Sequence, residues 1–234
     1  APMKKSLHVA VSGATGAVGR EPLKTLAQRN FPAASITALA SSRSAGTKVP
    51  YGDDEITVKE MTKDSFKGID LAIFSAGGSA SKEFAPYAVA SGCVVVDNSS
   101  AWRMDDRCPL VVPEVNPEDI KLYKAELGGK GIIANPNCTT IMMVVVLNPI
   151  EKISHIKKIH ISSYQSASGA GAIAMEELKQ QYKDILETGT TTHINKFPFQ
   201  LAYNVIPQID KMTENDYTKE EMKMFSSVLS GLQM

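Results

Sequence analysis

Three groups of residues have types and spacings suited to chemistry. The first is a cysteine in a special place. Asn135-Pro136-Asn137 breaks the chain, and Cys138 then opens an apolar run that reads as a helix to about Ile153. A thiol at a helix N-terminus is stabilised as thiolate, and the free N–H groups there can also hold an oxyanion. A lone cysteine is more often an inert small hydrophobe, and that reading suits Cys93, in an apolar run, and Cys108, before a proline. The second group is the turn Gly13-Ala14-Thr15-Gly16-Ala17-Val18-Gly19, directly after the strand-like Leu7–Ser12. Glycines there let the backbone turn sharply and approach a pyrophosphate held by the helix N-terminus. The third is Ser41-Ser42-Arg43-Ser44, closing a second strand with a cation and hydroxyls where NAD readers place a carboxylate. Arg43 can grip a 2′-phosphate, so NADP is expected over NAD.

These residues need elements to position them. Ser35–Ala40, Leu71–Ser75 and Val94–Asp97 read as further strands, and a helix runs to about Arg29. Strands alternating with helices predict an α/β fold, a Rossmann-like dinucleotide-binding domain with a largely parallel sheet. Lys48 to Glu60, with the turn signal Tyr51-Gly52-Asp53-Asp54, predicts a local hairpin. Beyond the break the reading is a β-rich stretch over Ile156–Gln165, a helix from Ile173 to about Glu187, and a polar loop from Thr188 to Asn195. Domains are expected at 1–135 and 136–234, the second an incomplete α+β unit.

Composition excludes some functions. Twenty-five basic residues balance twenty-five acidic ones, so no global field favours nucleic acid or an anionic membrane. The longest apolar run, Ile141 to Leu147, is too short to span a bilayer. Three widely spaced cysteines suggest neither a disulfide framework nor a metal site. Met3 is a candidate natural start. A cytoplasmic location is expected, with a plastid or other organelle open if a transit peptide was removed.

The segments GATGAVG, LASSRSAG, FSAGGSASKEFAPYA, VVVDNSSAWR, PLVVPEVN, ANPNCTT, SYQSASGAGA and YTKEEMKM, in that order, resemble the aspartate-semialdehyde dehydrogenase family. The resemblance covers about residues 7 to 224. It implies NADP-dependent interconversion of L-aspartyl 4-phosphate and L-aspartate 4-semialdehyde plus phosphate, in lysine, threonine and methionine biosynthesis. Residue by residue it implies Cys138 as nucleophile, Asn137 positioning the carbonyl, and Gln165 at the acyl intermediate. Arg103 and Lys223 would bind phosphate, and Glu220 the substrate ammonium. Gly13, Thr15, Gly16, Ala17, Val18, Ser42, Arg43, Ser44, Ser75, Gly77, Ser168 and Gly169 fall at cofactor positions, and a homodimer or homotetramer is implied. On their own, Glu220 and Lys223 at i and i+3 read as an exposed helix pair worth ~0.2–0.5 kcal/mol, and Arg103 beside Trp102 as surface stacking.

The pattern also breaks. The family's acid/base histidine, in a later Arg-x-His-Ser-like segment, and a carboxylate-binding arginine upstream of it find no counterpart. His8, His155, His160 and His193 are poor substitutes, the first in a strand, the next two flanking or inside another, the last in the polar loop. A truncated chain, a catalytically impaired NADP-binding fragment and N-acetyl-glutamyl-phosphate reductase therefore stand as alternatives.

Overall fold

The computed structural model describes residues 6–231; the candidate start at Met3 and the final residues 232–234 lie outside them. Its frame is a six-stranded parallel sheet. In chain order the elements are β1 (Leu7–Ser12), α1 (Ala17–Gln28), β2 (Ala33–Ala40), β3 (Lys48–Tyr51), β4 (Asp54–Thr57), β5 (Lys59–Glu60), β6 (Leu71–Phe74), α2 (Gly78–Ala90), β7 (Val94–Asp97) and β8 (Ile132–Ala134). The sheet order is β5-β2-β1-β6-β7-β8. β3 and β4 form the expected antiparallel hairpin apart from it. The two-residue β5, which sequence patterning misses, joins the sheet edge beside β2.

Period-two alternation explains how β1 holds this frame together. Val9, Ala10 and Val11 are fully buried. Val9 and Val11 face a core with Leu23 and Leu26 of α1 and Val49 of the hairpin. Ala10 faces the opposite core, with Phe66, Phe74, Val95, and Ala85 and Ala88 of α2. A parallel strand covered on both faces must be apolar throughout, and this one is.

Order reverses at β1: the chain builds outward to β2 on one side and to β6 on the other. The crevice at the carboxyl ends of such neighbours is where open α/β sheets bind ligands.

The later half consists of α3 (Cys138–Ile153), α4 (Ala172–Thr188) and α5 (Lys219–Gly231). α3 begins and ends as its sequence pattern predicts. The β-rich reading of Ile156–Gln165 is not met: residues 155–166 form no strand. Consequently His155 and His160 lie in no strand, and after β8 the described residues contain only a single bridge, Met212 with Thr218. The segment has strand-like residues, but a strand exists only against a neighbour, and none lies beside it among the described residues. Ile161 and Tyr164 are exposed.

Candidate active site

The glycine turn sits at the switch point. Gly13 adopts φ +81°, and a Cβ there would come within 2.6 Å of the Ser75 carbonyl oxygen, so only glycine lets the loops after β1 and β6 approach this closely. Gly16 and Gly77 cap α1 and α2 without any side-chain hydrogen bond, so both helices present free N–H groups toward this end of the sheet. The hydroxyls of Ser12 and Ser75, at the ends of β1 and β6, are buried without a partner. Two uncapped helix ends and two orphaned hydroxyls suit a polyanionic ligand such as a dinucleotide. Thr15 Oγ1 donates to Ser44 Oγ at 3.4 Å, joining the glycine turn to the 3₁₀ turn Ser42–Ser44 that carries the exposed Arg43. Val18, on the first turn of α1, is also exposed.

The cysteine group is built around the start of α3. Asn137 is its N-cap: its side-chain oxygen accepts from the N–H of Thr139 at 3.0 Å and Thr140 at 3.3 Å. Two of the N–H groups expected to serve an oxyanion are therefore taken by the cap. Cys138 itself is exposed, whereas Cys93 and Cys108 are buried. Burial pushes those two thiols up to about 12 and about 11, so neither is a nucleophile.

Charges converge on this point from far along the chain. Asn137 Nδ2 donates to Glu220 Oε1 at 2.9 Å across 83 residues. Glu220 is only 7% exposed, so the reading of Glu220 and Lys223 as a solvated helix pair is overturned. Lys223 Nζ donates to Glu220 Oε2 at 3.1 Å and to Asp210 Oδ2 at 3.0 Å. Burial pulls the Lys223 ammonium down, but those two carboxylates outweigh it and hold it above the usual lysine value. Nothing in the sequence around Asp210 signals this role.

Arg103 is half-buried, not stacked on Trp102. Its Nε donates to the Asn135 carbonyl at 2.9 Å and its Nη2 to the Asn98 carbonyl at 3.1 Å, while Asn135 Nδ2 ties to Asn98 Oδ1 at 2.7 Å. Burial lowers its pKa, opposed by the charges of Asp97, Cys138 and Glu220, which places the guanidinium within their field. The cation over the Trp102 ring is Lys130, at 5.3 Å. Below the arginine, the fully buried Asp97 accepts from Ser81 Oγ at 2.6 Å and from Ser99 Oγ at 2.7 Å, and Trp102 Nε1 donates to Ser81 Oγ. Neither the Asn98–Asn135 brace nor this Asp97 network is legible as periodicity.

Gln165, Ser168 and Gly169 form a separate local group. A Cβ on Gly169 would overlap the Gln165 amide, so that side chain lies against the glycine. Ser168 shares a hydrogen bond with Ser166. No hydrogen bond joins these residues to the Cys138 group. His193 is held by Asp184 at 2.5 Å, His155 by Glu151 and His8 by Ser35. Among the described residues, no cluster of His, Cys, Asp and Glu could hold a metal, and no helix is long and apolar enough to cross a membrane.

The fold agrees with a semialdehyde dehydrogenase chain of two parts: residues 8–123 match the family model for the semialdehyde dehydrogenase NAD binding domain. Residues 147–234 match that for the semialdehyde dehydrogenase dimerisation domain. The relatives narrow this class, and the chain belongs to the aspartate-semialdehyde dehydrogenase family. It is 55% identical to aspartate-semialdehyde dehydrogenase of Aquifex aeolicus (strain VF5), over 93% of this chain and 63% of that one. With the Bacillus subtilis (strain 168) enzyme it shares 49% over 99% of this chain and 67% of that one. The crystal structure of aspartate semialdehyde dehydrogenase II from Vibrio cholerae complexed with ASA superposes with a TM-score of 0.93 at 42% identity, covering 98% of this chain and 67% of that one. The chain thus spans about two thirds of the length of the relatives it matches, and less than that of the Aquifex protein.

Proposed function

We propose that this chain carries the nucleophile, the phosphate cations and the dinucleotide site of an NADP-dependent aspartate-semialdehyde dehydrogenase. The substrates are L-aspartyl 4-phosphate in one direction and L-aspartate 4-semialdehyde with phosphate in the other. The observation that carries this reading is the hydrogen-bonded line from α3 to α5: Cys138 follows Asn137, which binds Glu220, which binds Lys223. It supports reading Cys138 as a nucleophile near a buried carboxylate and a cation, with Arg103 braced nearby.

In the reductive direction the Cys138 thiolate attacks the acyl carbon. A carbon–sulfur bond forms, the carbon–oxygen bond to phosphate breaks, and phosphate leaves with the electron pair. Arg103 and Lys223 hold the departing phosphate, and Glu220 faces the substrate ammonium, so binding energy is directed at the reacting geometry. A bound reduced dinucleotide would supply the hydride that takes the thioester to the aldehyde level, after which the carbon–sulfur bond breaks and its electron pair returns to the Cys138 thiolate. Gly13, Thr15, Gly16, Ala17, Val18, Ser75 and Gly77 would hold its pyrophosphate side, with Ser168 and Gly169 also contacting it. Ser42, Arg43 and Ser44 would read a 2′-phosphate, which favours NADP. Gln165 is assigned to the acyl intermediate, and the domain division is placed at residues 135/136. The free chain is expected to assemble as a homo-oligomer through its second part.

Mass spectrometry after incubation with the acyl phosphate should find one acyl group per chain, on Cys138. Full turnover by a Cys138→Ala chain would remove the reading. An ammonium-seeking Glu220 weighs against an N-acetylated substrate, and comparing rates with the two semialdehydes separates these enzymes. One observation favours a second reading, dinucleotide binding without turnover: no histidine is bonded to the Cys138 group among the described residues. Nucleotide binding with undetectable turnover by the pure chain would select it.

A further inference from the structure

Lys223 does not wait for an anion with its charge unspent. An ammonium has three N–H donors; one goes to Glu220 Oε2 and one to Asp210 Oδ2, leaving a single donor. The Asp210 carboxylate comes from a different segment, 13 residues before the lysine, and that segment is braced. Its second carboxylate oxygen accepts from the Lys211 N–H at 2.8 Å, and its carbonyl accepts from Gln208 Nε2 at 3.0 Å. The Lys219 N–H reaches back to the Lys211 carbonyl at 2.8 Å, tying this segment to the start of α5. Asp210 also sits at φ +66°, a left-handed conformation that asparagine and aspartate tolerate best among residues with a Cβ. The carboxylate is therefore aimed by its backbone rather than swinging free.

The charge balance gives this contact a consequence. Lys223, Glu220 and Asp210 together carry −1, and adding Arg103 brings the set to zero. A site built to take phosphate would thus present no net attraction before phosphate arrives. We propose that Asp210 is a positioning residue that sets the anion affinity of Lys223: it holds the ammonium so that one N–H is presented, and its charge keeps phosphate binding weak. Weak binding suits a group that must be released in one direction and admitted in the other. This proposal rests on the reading that Lys223 receives the substrate phosphate. The raised pKa of Lys223 agrees with it, since burial alone would act the other way.

The test is calorimetric titration of the chain with inorganic phosphate, comparing the parent, Asp210→Asn and Asp210→Gly. Asparagine keeps an acceptor and glycine fits the positive φ, so both remove the charge without straining the backbone. Both should bind phosphate about tenfold more tightly, the change expected when a unit charge roughly 6 Å from an anion is removed at an effective dielectric between protein surface and water. The gain should shrink as salt is raised. In parallel, the Lys223 pKa, followed by NMR of its side-chain nitrogen, should fall in both variants. A merely structural role predicts the opposite sign, weaker binding. Phosphate that binds the parent and binds both variants equally or less well overturns the proposal alone. Phosphate that binds none of the three removes Lys223 as the anion site, and the proposal falls with it.

Discussion

At the residue scale, three cysteines have two fates set by where the fold leaves them. Cys93 and Cys108 stand in the core below β6 and β7, whereas Cys138 opens α3 at the surface. A native chain treated with a thiol reagent should therefore release one fast equivalent, and Cys138→Ala should abolish it. The position of Cys138 was legible because Asn-Pro-Asn followed by an apolar run is a local signal with a local cause. The same holds for Gly13, whose φ and close approach to Ser75 leave no room for a side chain. What could not be read were partners brought in by folding. Asp210 carries no pattern of its own, the bond that pairs Asn98 with Asn135 has none either, and the burial of Glu220 depends on α5 docking beside α3, far along the chain.

At the element scale, α1 shows two effects of opposite sign on one residue. Gly19 lies inside a helix, where alanine would ordinarily gain about 1 kcal/mol. A Cβ there would fall 1.9 Å from the Gly13 carbonyl oxygen, a backbone atom that cannot step aside. Overpacking of this kind costs about 1–3 kcal/mol, so Gly19→Ala should lower the urea midpoint and weaken dinucleotide binding together. A variant at least as stable as the parent would contradict the geometry.

α4 supplies a second case. Its polar side chains fasten the returning segment: Glu177 accepts from the N–H groups of Asn195, Lys196 and Phe197, and Gln181 Oε1 from those of Leu201 and Ala202. Burial raises the Glu177 carboxyl, but the three N–H donors outweigh it and hold it below the usual value. Asp184 is held down to about 2 by hydrogen bonds from Thr191, His193 and Gln180. A carboxylate with a depressed native pKa stabilises the fold above its unfolded value, near 4.5 for Glu177 and 3.8 for Asp184, and that stability is lost as pH falls through the native value. The amide resonances of Asn195, Lys196 and Phe197 should therefore stay fixed from pH 7 down to the usual glutamate range and move only below it. Glu177→Gln should show movement at neutral pH already. The helix period announced α4, but its role as a clasp is absent from any periodicity, because backbone N–H groups have no sequence signature.

At the scale of the whole molecule, apolar surface is distributed unequally. The sheet half owns two cores enclosed by α1, α2 and the hairpin. α3 buries Met143 and Val144 against Val112, yet Met142, Val146, Ile150 and Ile153, spaced for one helical face, are bare. A contiguous apolar stripe of this kind marks a contact surface. Sedimentation of the isolated chain should give a mass above that of a single copy and rising with concentration, and Val146→Lys with Ile150→Lys should return it to one copy. An unchanged single-copy mass for the parent would show the stripe tolerates water. Here the sequence misled in an instructive way: Ile156–Gln165 has the residues of a strand, but pairing is a property of neighbours, and no run of letters contains its own.

The bond between Asn137 and Glu220 has one more consequence, for the order in which the site comes into being. A ribosome delivers the glycine turn, the sheet and the cysteine long before it delivers the helix bearing Glu220 and Lys223. For that interval the nascent chain has the Cys138 thiol and Arg103 but neither Glu220 nor Lys223. Reactivity arrives before discrimination, and the exposed thiol is open to any electrophile it meets until α5 docks.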